Sequence, residues 1–415
     1  MKKITWLLLL MSLAAQAQSN KLSLDTCITR SKRNFPLIKQ SGLISEVEKN
    51  SRNSDNKNWL PKLSFITKAS YQSEVVEFQG ISFPKDNYLS ALDLEQTLFD
   101  AGQTHRQKEL DKLNSLTEEQ KNKVELYKLI DRVNQLYSSI LLSRANLKTL
   151  DIFKNELGNK KSNLSASVAN GLVLQSSLEE LEAEELKTEQ SIIETRDNLQ
   201  ALYLSLAMFI NGTVNDSTEL SMVPLGGMVV GEEITRPEIN LFNTQKSLLD
   251  ARHKLLNKAA FPKLTLSAEG AYGRPGPNFL NQDLRFFGQA AVNLKWNVGS
   301  LYTLSNERQS ISISKKMVDV QREVFEFNIR NAMTSQTAQI NALKSVIEKD
   351  KLIVEKRHNI SQTASAQLAN GTITTSDYLT QLNAEMQAVL NEKVHEIKLM
   401  NAISNYSTTK GITNF

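Results

Sequence analysis

Four segments of the chain alternate polar and apolar side chains with a period of two, which is typical of β-strands that have one polar and one apolar face. The first and third begin just after Pro61 and Pro262, which are 201 positions apart. Because the residue before a proline avoids the helical region, each proline marks the end of a preceding helix. The pattern predicts two β-hairpins, over 62–99 and 263–298, each with a loop that contains glycine and proline.

The two faces of these predicted strands differ in charge. The ionic residues share one face: Lys62, Lys68, Asp93, Glu95, Lys263, Glu269, Arg285 and Lys295. The other face is apolar, and we predict that it contacts lipid through Leu63, Phe65, Tyr71, Leu264, Leu266, Leu294 and Trp296. Strands of about 10 residues can cross a bilayer when tilted, and aromatic side chains near strand ends are typical of an interfacial girdle. The pattern therefore predicts a transmembrane β-barrel with a polar interior.

Four strands are too few to close a barrel, since about eight are the practical minimum. Open sheet edges are not tolerated in lipid, so the barrel must be shared between copies of the chain. Two copies would supply eight strands and three would supply 12, and the strand pattern alone does not choose between them.

Long helices separate the hairpins. Apolar residues recur at helical spacing over 103–169 and 300–369. At about 1.5 Å per residue, each of these helices would be roughly 100 Å long. Gly158 could loosen the first of the two helices. Asn-Gly pairs end both helices, and return helices follow over 172–210 and to about Tyr406. A first helix over 22–57 is expected to bend near Pro36. Such lengths call for a coiled-coil arrangement, in which short helices stacked end to end lie along each long one to form a helical tube.

The order of elements repeats after about 200 residues. We predict a first repeat over 18–210, a linker over 211–233 that is rich in glycine, and a second repeat over 234–415. Each repeat contains a helix, a β-hairpin, a long helix, a turn and a return helix. The turns are named here the first tip, residues 169–177, and the second tip, residues 369–377.

The N-terminal residues are those of a secretory signal. Lys2 and Lys3 precede an apolar run over 6–13, and Ala15-Gln16-Ala17 is a small-residue cleavage site, which predicts a signal peptide over 1–17. The formal charge of +4 is too small to indicate nucleic-acid binding. Cys27 is the only cysteine, so the chain cannot form an internal disulfide.

The sequence contains no pattern of a catalytic or cofactor site. None of the four histidines lies at a metal-ligand spacing from cysteine or carboxylate partners, and no glycine loop for phosphate is present. Clusters of glutamate on the long helices are typical of a solvated face. We therefore expect neither enzymatic activity nor a cofactor.

Six motifs together resemble the TolC-like family of outer-membrane efflux proteins: Phe35-Pro36, Leu60-Pro61-Lys62-Leu63, Phe261-Pro262-Lys263-Leu264, Leu98-Phe99-Asp100-Ala101-Gly102, Asn170-Gly171-Leu172-Val173 and Asn370-Gly371-Thr372-Ile373. The resemblance covers nearly the whole mature chain. It implies an α+β membrane protein: a homotrimer with a shared 12-stranded transmembrane barrel, four strands per chain, continuous with a periplasmic α-barrel. It also implies a passive exit duct in the outer membrane for an efflux or type I secretion system, with an inner-membrane pump reached through a periplasmic adaptor.

The same resemblance assigns roles at the tips. Adaptor docking is expected at Asn170, Gly171, Leu172, Asn370, Gly371 and Thr372. Family members often place two acidic residues after the second glycine, and here Asp377 stands at the first of these places while Thr380 stands at the other. Asp377 is therefore a candidate for a periplasmic gate that attracts cations, and equally a candidate for the cap of the return helix.

A different class of protein remains open at this point. In a periplasmic coiled-coil structural or adaptor protein, the hairpins would be small soluble β-caps on long helices. Adaptors usually carry one helical hairpin flanked by lipoyl-like strands, whereas this chain has two halves that each hold a β-hairpin long enough to cross a membrane. The motifs do not distinguish drugs, metals, proteins or polysaccharides as cargo.

Overall fold

The computed structural model describes residues 21–75, 77–78, 81–82, 84–221, 233–278 and 280–412. The predicted signal peptide and residues 222–232 of the predicted linker lie outside these ranges. Eight helices are described: α1 Leu24–Asn34, α2 Ile38–Lys57, α3 Gln103–Tyr127, α4 Leu129–Ala169, α5 Gln175–Ile210, α6 Pro237–Ala259, α7 Ser300–Ala369 and α8 Thr375–Lys410.

The described strands form three sheets. The strands are β1 Lys21–Leu22, β2 Lys62–Tyr71, β3 Glu77–Phe78, β4 Ile81–Ser82, β5 Asp86–Phe99, β6 Glu219–Leu220, β7 Lys263–Arg274 and β8 Arg285–Lys295. The main sheet has the order β2-β5-β7-β8 and is antiparallel throughout. Within the first predicted hairpin the first strand ends at Tyr71, and a short β3–β4 pair lies in the loop that follows.

The predicted bend near Pro36 is confirmed, because α1 ends at Asn34 and α2 begins at Ile38. The loosening predicted at Gly158 is wrong. Gly158 lies inside α4, where a glycine weakens a helix but leaves its hydrogen-bond ladder intact. The long helix instead divides at Lys128, which keeps helical dihedral angles while its N–H bond to the Val124 carbonyl oxygen lengthens to 3.4 Å. The corresponding α7 is continuous over 70 residues.

Two compact units divide the chain, and each contains parts of both sequence repeats. One unit comprises residues up to Ile38, Lys123–Pro237 and the residues from Val324 onward, and it is helical apart from β1 and β6. The other comprises Lys39–Asn122 and Glu238–Glu323, and it contains the four-stranded sheet with the helical segments adjoining it in sequence.

The helical unit has its largest apolar cluster around α1. Cys27 is fully buried there together with side chains of α4, α5 and α8. Burial raises the pKa of the Cys27 thiol to about 12, so the thiol is neutral and unreactive. Two further clusters lie between α7 and α8 and near the two tips.

The first part of the predicted linker is held by specific contacts. β6 pairs in parallel with β1, and the buried Tyr137 hydroxyl lies 2.9 Å from the Leu22 oxygen and 2.6 Å from the Ser221 oxygen. Arg144 donates to the carbonyl oxygens of Thr218 and Asn215 at 2.7 and 2.8 Å. Residues 211–221 are therefore anchored to the helical unit, which the glycine-rich composition did not indicate.

Candidate functional site

The register of the main sheet places its apolar side chains on one face. Directly opposed residues on neighbouring strands point to the same side. Phe65 is opposite Leu92, Leu264 is opposite Leu294, and all seven residues predicted to face lipid lie on this face or, for Trp296, just beyond its last strand. Leu63, Phe65 and Leu294 expose 64%, 72% and 68% of their surface, so the described residues leave much of this face uncovered.

The opposite face carries the ionic residues in transverse rows. Lys62 lies opposite Glu95, Asp93 opposite Glu269, and the Gln289 side chain donates to Glu269 at 3.2 Å. All eight ionic residues assigned to this face from the alternation are found on it. One row is apolar and consists of Ile66, Ala91, Ala271 and Phe287.

Simple alternation fails at the end of β5. The register shifts between Thr97 and Phe99, so Phe99 pairs with Leu264 on the apolar face, and both Leu98 and Phe99 are exposed. A bulge inserts one residue and thereby moves the following side chain to the other face. Alternation alone would have placed Phe99 beside Thr97 on the polar face.

An ion pair at the far end of the apolar face was not predicted. Arg274 lies opposite Tyr88 and forms a salt bridge with Asp86, which is the first residue of β5. The signal was present in the sequence, because Arg274 continues the alternation of Leu266, Ala268 and Tyr272. The pair lies at the strand ends, where a charged group is nearest to water.

None of the described helices contains a stretch that is long and apolar enough to cross a membrane. Within the same residues, no group of three or more histidine, cysteine or acidic side chains could hold a metal ion.

The two tips have the same backbone geometry. Gly171 and Gly371 adopt φ of +69° and +71°, which an L side chain rarely adopts. The N–H of Leu172 donates to Ser167 O at 3.0 Å, and the N–H of Thr372 donates to Gln367 O at 2.9 Å. These are Schellman motifs, in which glycine ends a helix by turning left-handed. Asn170 and Asn370 each use their side-chain amide to satisfy a carbonyl four residues earlier.

The return helices begin differently. α8 has a capping box, in which the Thr374 hydroxyl accepts from Asp377 N at 3.1 Å while the Asp377 carboxylate accepts from Thr374 N at 3.1 Å. The Thr374 hydroxyl also donates to the Asp377 carboxylate at 2.7 Å, and this bond, with the one from Thr374 N, lowers the pKa of Asp377, which is exposed. α5 has Leu174 at its N-cap, which offers no side-chain hydrogen bond. Asp377 therefore caps its helix, while its role as a gate stays a prediction.

Both tips adjoin one apolar cluster that all four long helices build. Phe153 and Leu157 of α4, Leu181 of α5, Ala364 of α7 and Tyr378 of α8 are buried together. The phenol of Tyr378 is fully buried, and burial, reinforced by the carboxylate of Glu156, raises its pKa, so it donates to Glu156 Oε1 at 3.2 Å.

A groove of about 430 Å³ separates the tips. It is lined by the ends of α4 and α7 and by the tip residues Leu172, Asn370 and Gly371. Lys160 also lines this groove, and its ammonium group pairs with the Ser365 hydroxyl and lies 5.6 Å from the centre of the Tyr378 ring. The six predicted docking residues are thus brought to one end of the helical unit in two similar turns.

Comparison with solved structures identifies the fold of the chain. No family model matches the chain, and no curated protein sequence matches it. Among solved structures, it is similar to the outer membrane protein VceC from Vibrio cholerae, with 14% identity, a TM-score of 0.70, and coverage of 94% of this chain and 97% of the other. It is also similar to the CmeC outer membrane channel of Campylobacter jejuni (13%, TM-score 0.68, 94% and 85%) and to the open-state MtrE outer membrane channel of Neisseria gonorrhoeae (13%, TM-score 0.67, 94% and 89%). At these identities the comparison establishes the shared fold over nearly the whole chain.

Proposed function

We propose that the chain is one subunit of a trimeric outer-membrane channel, which serves as the passive exit duct of a tripartite efflux or type I secretion system. The observation that carries the proposal is the four-stranded sheet, whose apolar face is exposed and whose ionic residues, apart from the Arg274–Asp86 pair at the strand ends, lie on the opposite face. The fold shared with outer-membrane channels supports it. The protein would reside in the outer membrane, with its long helices in the periplasm.

The edges of the sheet support assembly with further copies. β2 and β8 each have a single neighbour within the described sheet. An unpaired edge in lipid leaves backbone groups without hydrogen bonds, so β8 of one copy would pair with β2 of the next. Three copies give the 12 strands that the resemblance to the TolC-like family implies.

A stripe on α7 supports the same assembly. Ile313, Met317 and Val320 are each at least half exposed and follow one another at spacings of four and three residues. This heptad spacing is that of a coiled-coil seam, which buries its apolar positions against another helix. Since the described residues leave the seam uncovered, we assign it to contact between copies of the chain.

The tips are proposed as the docking surface for a periplasmic adaptor. Leu172 is exposed beside the groove between the tips, and the Schellman turns hold both Asn-Gly pairs in fixed positions. Replacing Gly171 or Gly371 should weaken adaptor binding while the trimer stays intact, because the turns lie at the ends of the helices. Loss of the trimer in these variants would argue against a docking role.

Asp377 is proposed as the gate residue, in addition to its role in the cap. The Thr374 hydrogen bonds lower the pKa of its carboxyl group, which favours the charged form. Three copies would place three such charges around the periplasmic entrance, where they would attract cations and repel anions. An Asp377→Asn channel whose cation preference equals that of the wild type would contradict the gate.

The alternative of a soluble periplasmic adaptor would require protein to cover the apolar face of the sheet. Release of the expressed protein from membranes by carbonate wash alone would support that alternative and contradict the channel. Retention until detergent is added, together with conductance in planar bilayers, is the result that we expect.

A matched pair of substitutions on β8 tests the orientation of the sheet. Leu294→Arg places a charge on the apolar face and should destabilise the inserted barrel by about 2–4 kcal/mol if the residue lies near the bilayer centre. Asn293→Arg, on the polar face, is the control and should assemble normally. The yield of heat-resistant oligomer in membranes measures both, and equal yields would show that the faces are assigned wrongly.

A further inference from the structure

A polar cavity of about 260 Å³ lies between the main sheet and the helices that adjoin it in sequence. Lys62 and Lys263, the first residues of β2 and β7, line it together with Thr97 near the end of β5 and with the start of α3. Pockets for drug-sized ligands usually measure about 300–1,000 Å³. This cavity is smaller, so it suits a single polar group of a ligand better than a whole ligand of that size.

The lysines at this end of the sheet are not neutralised by acidic side chains. Glu95 is opposite Lys62 in the sheet register, but the two side chains form no salt bridge. Lys295 is opposite Lys263 and adds a third positive charge. Among the described residues, none of the three lysines has a carboxylate within salt-bridge distance. Because like charges on opposed residues repel one another, an anion bound here would be stabilised by the lysines and would relieve that repulsion.

Asp100 is the one carboxylate among the residues that line the cavity, and its oxygens are occupied by the backbone. The side chain is buried, and it accepts from Gly102 N at 2.9 Å and from Thr104 N at 2.8 Å. These N–H groups lie at the start of α3, where a helix carries a partial positive charge. The negative charge of Asp100 is therefore directed at the helix start and leaves the ammonium groups of the lysines for a ligand.

Neutral hydrogen-bond donors complete the lining. The side-chain amides of Asn58 and Gln103 border the cavity and bond to no other side chain in the part of the chain that the structure describes. The Gln107 amide, in contrast, donates to Asp111 at 2.9 Å. Ammonium and amide groups that converge on one small space complement an oxyanion, because the ammonium supplies charge and the amide supplies a directed N–H donor.

We propose that Lys62 and Lys263 form a binding site for a small oxyanion group, of which phosphate is the simplest example. Both lysines lie on the ionic face of the sheet, so the ligand reaches them from water and not from lipid. The consequence for transport rests on the proposed function: three copies would place three such sites around the lumen, where solutes that carry a phosphate or carboxylate group would be held. Pores that conduct anions or phosphate are lined in this way by rings of lysine or arginine.

Titration with inorganic phosphate tests the site on the full-length chain purified in a neutral detergent. The measurement is ³¹P NMR at low ionic strength, since salt screens contacts between exposed charges. Lys62→Gln and Lys263→Gln should each weaken phosphate binding about tenfold, because each removes a charge-assisted hydrogen bond. Lys62→Arg keeps the charge at an exposed position and should bind within about threefold of the wild type.

A charge-matched control distinguishes the cavity from the general charge of the sheet. Lys68→Gln with Arg285→Gln removes two positive charges from another row of the same face, outside the cavity, and should leave phosphate binding unchanged. The yield of heat-resistant oligomer should equal that of the wild type in every variant. Nanodiscs with and without phosphatidylglycerol should give the same phosphate affinity, because the site faces away from lipid.

A wild-type protein that binds no phosphate would overturn the site, as would wild-type binding in Lys62→Gln with Lys263→Gln or an equal loss in the charge-matched control. Competition by phosphatidylglycerol would assign the cavity to a lipid headgroup and overturn the solute site. The outcome is separable from that of the proposed function. Phosphate binding without conductance in planar bilayers would refute the channel and keep the site, whereas conductance without phosphate binding would refute the site alone.

Discussion

The two helical hairpins, α4–α5 and α7–α8, have the same backbone geometry at their tips and differ in the side-chain contacts that stabilise it. Both tips turn at a left-handed glycine with the same pair of backbone hydrogen bonds. The first then exposes Leu172 and Leu174 by 77% and 75% and begins its return helix without a side-chain cap. The second begins with the Thr374 capping box. The comparison teaches that the same Asn-Gly turn forms whether or not a side-chain cap begins the helix that follows it.

The same comparison extends away from the tips. Tyr378 of the second hairpin is fully buried and bonds to Glu156, whereas the matching Leu178 of the first is half-buried. The first long helix divides at Lys128, and the second is continuous. The second hairpin is thus the more firmly capped at its tip, and histidine–carboxylate contacts join its helices where lysine–glutamate pairs join those of the first.

The largest expected difference between the hairpins concerns this buried ring. Tyr378→Ala should lower the stability of the tip cluster by about 3–5 kcal/mol, because it removes a large buried side chain and leaves a cavity. Leu178→Ala should lower it by about 1 kcal/mol, since that side chain is only partly buried. Native-state hydrogen exchange of amides in α5 and α8 measures both.

Tyr378→Phe serves as the control for the hydroxyl group. It should cost about 1 kcal/mol, because one hydrogen bond to Glu156 is lost while the ring stays packed. Equal losses for Tyr378→Ala and Leu178→Ala would contradict the contrast between the tips.

The glycine turns should respond equally in the two hairpins. Gly171→Ala and Gly371→Ala should each destabilise the local helix end by about 1–2 kcal/mol, because both residues have positive φ and open space offers no compensating contact. Gly158→Ala is the control, because it should raise the stability of its helix. It lies inside α4, where alanine is the better helix former by about 1 kcal/mol, and its Cβ would lie 3.9 Å from Glu185 Oε1, an ordinary contact. Hydrogen exchange at the helix ends reports the difference, and a loss of stability in Gly158→Ala would refute this account.

Exchanging the N-cap residues of α5 and α8 should make the stabilities of the two helix starts more alike. Thr374→Leu should destabilise the start of α8 by about 1 kcal/mol, since the N-cap hydroxyl no longer accepts a backbone N–H. Leu174→Thr should stabilise the start of α5 by a similar amount. Exchange rates of the first amides of each helix measure both changes, and a Leu174→Thr tip that exchanges as fast as the wild type would show that the local backbone, and not the missing cap, limits the first tip.

The smallest expected effect is the acid response of the second tip. The folded-state pKa of Asp377 is lowered by its bonds to Thr374, so its contribution to stability is complete above the ordinary carboxyl pKa of about 4 and is lost as the pH falls through the folded value. Amides at the start of α8 should therefore lose protection below about pH 4, whereas those of α5, with Ser177 at the matching position, should not. Asp377→Asn should remove this loss of protection at low pH. An unchanged loss of protection in that variant would show that another titrating group causes it.

Much of the fold was predictable because it depends on local rules. Proline at positions 61 and 262 ends the helices, and strict alternation over β2, β7 and β8 assigned the ionic residues to one face. The bulge between Thr97 and Phe99 was not predictable, because an inserted residue leaves alternation before and after it intact and only the partner strand reveals the shift. The anchoring of residues 215–221 by Tyr137 and Arg144 depends on contacts more than 70 positions apart in the chain.

The sequence by itself determined the period of each segment, the positions of its turns and the charge of each strand face, since each of these follows from neighbours a few residues apart. Only the tertiary structure decided that the long helix divides at Lys128 and not at Gly158, that Asp377 closes a capping box, and that His358 meets Glu385 while Lys161 meets Glu185. The physical reason is that polar side chains on two helices form a contact only where the packed helices bring them close together. The spacing of residues along either helix does not determine that distance.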